Sequence, residues 1–171
     1  MTGTPIRVCF VCTGNICRSP MSEVVLQAQL AEVGLADQVI IDSAGTGPWH
    51  AGKDMDPRAR QVLTRHGYQP ERHVAKQFQP QDFSHRDLVL ALGAGHLSRL
   101  GMLAQLAENP ADAAASIRLL RSFDPAAVAG GDLDVPDPYY DAEPEFEQAL
   151  AQIEAACTGL VQVLRPLLAA A

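Results

Sequence analysis

The stretch Ile6-Arg7-Val8-Cys9-Phe10-Val11-Cys12-Thr13-Gly14-Asn15-Ile16-Cys17-Arg18-Ser19-Pro20 decides how this chain is read. Residues 6–12 form a nearly continuous apolar run rich in β-branched and aromatic types, the pattern of a strand buried on both faces. Ser19 followed by Pro20 predicts a helix N-cap with proline at the first helical position, and Met21, Val24, Val25, Ala28 and Ala31 recur at helical spacing before Gly34. Between strand and helix stand Cys12 and Arg18, with five residues between them. A loop of that length wraps so that its backbone N–H groups converge as a nest, and the helix behind it adds unsatisfied N–H groups and a positive dipole end. Such a cradle fits a phosphate.

Outward from this stretch, strands and helices alternate. Val39-Ile40-Ile41 reads as a second short strand closed by Ser43-Ala44-Gly45, and Asp56-Pro57 starts a second helix that Gly67 is placed to end. Leu88-Val89-Leu90-Ala91-Leu92 is a third buried strand, followed by a helix through Leu97, Leu100, Leu103 and Leu106. Ile117-Arg118-Leu119-Leu120 is a weaker fourth strand. Between Ser122 and Tyr140 the composition shifts to Asp, Pro and Gly, which predicts a long ordered loop or lid. The last helix carries Phe146, Ala149, Leu150, Ile153, Cys157, Leu160, Val161, Leu164, Leu167 and Leu168 on one stripe. The alternation predicts a single α/β domain over residues 1–171, with a central four-stranded parallel sheet, helices on both faces and the phosphate-binding loop after strand 1. Sites in such sheets lie at the carboxyl ends of strands, where Cys12 stands.

Cys12 and Arg18 suit phosphoryl chemistry. Arg18 offers a planar fork that holds two phosphate oxygens. Helix N-termini and neighbouring cations bring cysteine pKa values to about 3.5–7.5, so a thiol at the base of the loop is a nucleophile without a dedicated base. Thiolate attack on a phosphate ester needs a proton for the leaving oxygen. Asp137, in Val135-Pro136-Asp137-Pro138-Tyr139-Tyr140, is the candidate acid: prolines on both sides restrict where its carboxylate points, and Tyr139 and Tyr140 offer flat walls for an aromatic leaving group.

Composition narrows the partners. Among 171 residues, 13 Lys and Arg against 20 Asp and Glu give a net charge of −7. That disfavours nucleic acid or an anionic membrane, both of which need a basic field. With 47% hydrophobic residues there is material for one core, and no apolar run approaches the ~18 residues of a membrane span. No segment reads as a secretory leader, so the expectation is a cytoplasmic protein, with leader-independent export left open. Cys9, Cys12, Cys17 and Cys157 are too few for a disulfide scaffold. The histidines His50, His66, His73, His85 and His96 show no compact ligand pattern, so neither a metal nor a cofactor is expected.

Cys12-Thr13-Gly14-Asn15-Ile16-Cys17-Arg18-Ser19-Pro20, taken with Asp137-Pro138-Tyr139-Tyr140, resembles the low-molecular-weight protein tyrosine phosphatases, and the likeness extends over essentially the whole chain. Ser43-Ala44-Gly45-Thr46, Trp49-His50, Asp56-Pro57-Arg58, His66-Gly67 and Leu120-Arg121-Ser122-Phe123-Asp124-Pro125 fit it too, the last resembling the actinobacterial secreted branch. The resemblance implies hydrolysis of phosphotyrosine and aryl phosphates through a cysteinyl-phosphate intermediate. Cys12 would be the nucleophile, Arg18 the phosphate holder and Asp137 acid then base. Ser19 would hydrogen-bond the leaving thiolate. Asn15 would take a left-handed conformation held by Ser43, keeping the N–H groups of Thr13, Gly14 and their neighbours convergent. Trp49, Tyr139 and Tyr140 would line the cleft beside Ile16, and Cys17 would form a reversible disulfide with Cys12. Implied partners are phosphotyrosine proteins, with inorganic phosphate as product and inhibitor, for a monomer or weakly self-associating chain. One departure stands out: Leu92-Gly93-Ala94-Gly95-His96 lies where the family often has an aspartate and, three residues on, an asparagine. That aspartate commonly buttresses the loop region through a histidine, so His66 is left without this partner.

Plainer readings compete. Cys9 and Cys12 form a Cys-x-x-Cys, yet positions three apart in a strand point to opposite faces, which makes Cys9 a core thiol. Cys157 falls on the apolar stripe of the last helix. Cys17 reads as a resolving thiol or as a small loop residue, Asp137 as an acid or a turn residue, Trp49 as cleft rim or core, and the tyrosines as cleft walls or lid packing. Two other functions share the motif. A phosphatase-like arsenate reductase needs relay cysteines, usually after the third strand, and residues 72–125 contain none. A silent phosphotyrosine-binding module would lack the nucleophile or the acid, and Cys12 and Asp137 are both present. The acidic remainder of the chain would select against substrates with many flanking acidic residues.

Overall fold

In the computed structural model, which describes residues 4–169, four parallel strands lie in the order β2-β1-β3-β4. They are β1 (Ile6–Cys12), β2 (Val39–Gly45), β3 (Leu88–Ala91) and β4 (Ile117–Leu119). Register aligns Cys12 with Gly45 on one side of β1 and Val11 with Ala91 on the other, so the carboxyl ends of the central strands finish together. The helices are α1 (Arg18–Glu32), α2 (Pro57–Arg65), α3 (Ala94–Ala104), α4 (Pro110–Ser116), α5 (Pro125–Gly130) and α6 (Glu143–Ala169).

The two-residue period of β1 feeds two cores. Val8, Phe10 and Cys12 pack with Met21 and Leu26 of α1, Leu63 of α2 and Phe146, Leu150 and Ile153 of α6. Cys9 and Val11 face the other side, among Phe78, Phe83, Leu100 and Ala113 beneath α3 and α4. Cys9 and Cys12 therefore do sit on opposite faces, and burial pushes the Cys9 thiol well up. Cys157 is fully buried on the inner stripe of α6. No helix among the described residues is long and apolar enough to cross a membrane.

Several local expectations need correction. Ser19 is not the N-cap. Helix α1 begins two residues earlier, with Cys17 at the cap and no side-chain capping bond, and the Ser19 hydroxyl turns inward to the loop. Pro20 still lies in the first turn, where its missing N–H has no partner to lose. Ser43-Ala44-Gly45 belong to β2 rather than closing it. The segment after Ser122 is partly helical, since Asp124 accepts from the Ala126 N–H and caps α5. Helix α4 has too short an apolar pattern to read from sequence. Leu106 and Leu167 lie on the surface, at 72% and 57% exposure. The Asp56 side chain does cap α2, accepting from the Arg58 N–H, and Gly67 ends it at φ 88°.

Candidate active site

The loop from Cys12 to Arg18 points its carbonyls outward. The carbonyl of Cys12 accepts from Thr46 N, that of Thr13 from Gly47 N, that of Ile16 from Asp56 N and that of Cys17 from Met21 N. The Asn15 carbonyl accepts from His73 Nε2 at 2.7 Å. With the carbonyls engaged on the outside, the N–H groups are left for the inside. Among the described residues, nothing accepts from the N–H groups of residues 13–18. The turn depends on Asn15, which is 1% exposed and takes φ 59°. Its Nδ2 donates to Ser19 Oγ and to Ser43 Oγ, each at 2.9 Å, and its Oδ1 accepts from Lys76 N at 3.0 Å. Ser43 in turn donates to Glu23 Oε2 at 2.7 Å, and burial pushes that carboxyl up. Gly45 allows β2 to pass the loop, since a Cβ there would stand 2.7 Å from the Thr13 carbonyl oxygen.

Inside the turn, Cys12 Sγ lies 3.0 Å from Ser19 Oγ. Arg18, 6% exposed, donates from Nη1 to the Val135 carbonyl at 3.1 Å and from Nη2 to Thr13 Oγ1 at 3.4 Å. Its Nη2 also stands 3.2 Å from Asp137 Oδ2. The sequence-distant acid and the loop arginine thus meet. A cleft of about 430 Å³ opens over them, lined by Cys12, Thr13, Gly14, Ile16, Cys17 and Arg18 below and by Trp49, His50, Asp137, Tyr139 and Tyr140 around the rim. Tyr139 and Tyr140 stack edge to face at 4.8 Å. Trp49 is 66% exposed, which places it on the rim rather than in the core. Ser43, Asn15 and Ser19 are buried behind the loop and shape it instead of facing the cleft. Cys17 faces the cleft as a free thiol pushed well up, mainly by burial.

Several residues that matter here were not singled out by spacing. Arg58 fastens the Asp137 segment: while paired to Asp56, it donates to the carbonyls of Tyr139 at 2.9 Å and Asp141 at 3.2 Å. Arg121 does the same at the other end, donating to the Asp134 carbonyl at 2.7 Å. Asp134 Oδ1 accepts from the Ala94 N–H at 2.8 Å and would stand 3.3 Å from a Cβ at Gly93, so a carboxylate from the segment before Asp137 caps α3 beside the position where the family often has an aspartate. His50 packs over Gly14, and His96 Nε2 reaches Thr13 Oγ1 at 2.9 Å. His66 pairs instead with Glu147 on the surface, and the histidine that supports the loop is His73. The signals were present as His and Arg residues, but only tertiary contact assigns them. Among the described residues, no three His, Cys, Asp or Glu side chains converge as metal ligands.

A turn that presents N–H groups and a guanidinium around a cysteine sulfur defines a class: α/β proteins that hold a phosphate-like dianion against a thiol. The sequence profile of the low molecular weight phosphotyrosine protein phosphatases matches residues 7–167. A low molecular weight protein-tyrosine-phosphatase of Streptomyces coelicolor is 57% identical over 159 residues, 93% of each chain. The low molecular weight protein-tyrosine phosphatase A of Mycobacterium tuberculosis is 47% identical over 156 residues, 91% of this chain and 90% of that one. The crystal structure of YfkJ from Bacillus subtilis aligns with a TM-score of 0.86 at 31% identity, covering 97% and 98% of the two chains. The chain belongs to the low molecular weight phosphotyrosine protein phosphatase family.

Proposed function

We propose that the chain hydrolyses phosphotyrosine and other aryl phosphates, with Cys12 as nucleophile. The observation that carries this reading is the run of unengaged N–H groups over residues 13–18, directly after Cys12, with Asp137 brought to the same cleft against Arg18. The phosphoryl dianion sits in the nest, and Arg18 exchanges Asp137 for two phosphate oxygens. The Cys12 thiolate attacks phosphorus as the bond to the aryl oxygen breaks, and Asp137 gives that oxygen its proton. Asp137, now a carboxylate, takes a proton from water while the water oxygen attacks the cysteinyl phosphate. The S–P bond breaks and the Ser19 hydroxyl stabilises the departing thiolate at 3.0 Å. Inorganic phosphate is released and competes for the same nest. The rim of Trp49, Tyr139 and Tyr140 suits a flat leaving group.

Replacing the nucleophile tests this directly. Cys12→Ser is expected to abolish p-nitrophenyl phosphate hydrolysis, by at least about a thousandfold, while phosphate still binds by calorimetry. Turnover persisting near the native rate would remove Cys12 from the role. Cys17 is proposed as its protector: peroxide oxidises the Cys12 thiolate to a sulfenic acid, and the Cys17 thiol displaces water to close a disulfide. Peptide mapping after peroxide should find that bridge; sulfonic acid alone at Cys12 would remove the protective role.

A further inference from the structure

His96 is the third residue of α3 and its ring is 8% exposed. Nε2 lies 2.9 Å from Thr13 Oγ1, whereas Nδ1 is buried without a partner. The charged groups that face the ring are Arg18, Asp137 and Asp134. Burial first, and Arg18 second, lower its pKa to about 4, so at neutral pH the imidazole carries one proton. That proton has two possible homes. On Nδ1 it would be a buried donor with no acceptor; on Nε2 it has Thr13, and only a lone pair on Nδ1 goes unmet. Orphaned donors are the costlier of the two, so hydrogen-bond satisfaction assigns the proton to Nε2.

The consequence falls on Thr13. A hydroxyl oxygen accepts two hydrogen bonds and donates one. His96 Nε2 and Arg18 Nη2 both donate to Thr13 Oγ1, which fills its accepting capacity. What remains is the hydroxyl proton, on a side chain that lines the cleft beside Cys12 and Arg18. We propose that His96 is a positioning residue which, by donating to Thr13, commits the Thr13 hydroxyl to act as a donor to a phosphoryl oxygen and holds it against Arg18. The inference deepens the phosphatase reading and rests on it.

The test is a double-mutant cycle on wild type, Thr13→Val, His96→Phe and the double variant, reading kcat and KM for p-nitrophenyl phosphate and the inhibition constant of inorganic phosphate at neutral pH. Each single change is expected to weaken phosphate inhibition about fivefold and to lower kcat/KM similarly. The double variant should be no worse than either single, because both remove the same donor. His96→Gln, which keeps an N–H on a side chain of similar reach, should recover to within about twofold. Losses that multiply in the double variant, or unchanged phosphate inhibition in His96→Phe, would overturn the proposal. If His96→Phe does not fold, Thr13→Ser against Thr13→Val decides it: serine should retain binding and valine lose it, and equal binding would count against the donor role. A wild-type enzyme with no turnover would sink the phosphatase reading instead, an outcome distinct from turnover without coupling.

Discussion

The two segments that meet in the cleft are built in opposite ways. Residues 12–19 are sunk into the fold, with Asn15, Arg18 and Ser19 at 1%, 6% and 0% exposure and the loop carbonyls tied to neighbouring strands and turns. Residues 132–141 cross the mouth as a strap. Arg121, Asp134 and the Val135 N–H to the Leu92 carbonyl hold one end, Arg58 holds the other at the Tyr139 and Asp141 carbonyls, and the Tyr140 side chain there is 89% exposed. The cradle binds the part common to every substrate, a dianion, and gains from dipoles fixed before the reaction. The strap meets the leaving group, which varies; it is clamped at its ends and touched between them by Arg18, which reaches the Val135 carbonyl and Asp137.

Removing the acid breaks the strap's chemistry while leaving the cradle whole. Asp137→Ala is expected to lower kcat about 100- to 1000-fold for poor leaving groups such as phosphotyrosine or alkyl phosphates, and much less for activated aryl esters. Equal losses across a leaving-group series would argue against general acid catalysis.

Asn15→Ala attacks the cradle. It removes partners of Ser19, Ser43 and the Lys76 N–H, and asks alanine to hold φ 59°. The expected cost is about 2–4 kcal/mol, seen as a Tm lower by roughly 5–15 °C, with activity falling about tenfold or more. Here the loss should be the same for good and poor leaving groups, in contrast to Asp137→Ala. A leaving-group dependence would mean that the cradle also sets the acid.

Arg58 sharpens the contrast at smaller scale. Its guanidinium ties Asp56 on α2 to the carbonyls of Tyr139 and Asp141, and lies 4.7 Å from the Phe146 ring centre. Arg58→Lys cannot reproduce the fork. A kcat lower by about fivefold, concentrated on poor leaving groups and with phosphate inhibition unchanged, is the expected signature. Weakened phosphate inhibition would instead join Arg58 to the cradle.

This difference in construction also decides what could be read from sequence. The cradle is local: a strand, a loop and a helix start occupy one stretch, so Cys12 and Arg18 were legible from their spacing, and the left-handed Asn15 from the resemblance that stretch carries. The strap is held by residues drawn from α2, from the turn before α5 and from the end of β3. Nothing in the spacing of Arg58, Arg121 or Asp134 announces those contacts. Ser19 misled for the same reason, because serine beside proline at a helix start reads as a cap until Asn15 and Cys12 are seen to claim its hydroxyl. The Gly93 departure reads as a lost buttress in one dimension; in three, Asp134 lies against Gly93 and caps α3, while His73 supports the loop directly.

Acid should loosen the two segments in sequence. His96 keeps its neutral form in the fold, with its pKa lowered from 6.5 to about 4. Between those values the unfolded chain takes up a proton that the folded chain refuses, so this contribution to stability is complete above 6.5 and is lost as pH falls toward 4. The Asp56 carboxylate is opposed by burial, but hydrogen bonds from the Arg58 side chain and N–H hold it below its ordinary 3.8. Its contribution is present above that value and is lost only as pH falls through the lowered one. The support behind the cradle therefore weakens at milder acidity than the clamp on the strap. Thermal melts across pH should show His96→Gln flattening the decline in Tm between pH 6.5 and 4, and Asp56→Asn lowering Tm throughout the range above pH 3.8 while removing only the part of the decline that lies below it. A His96→Gln protein whose slope matches wild type over the upper interval would show that the neutral ring is not what ties the cradle to pH.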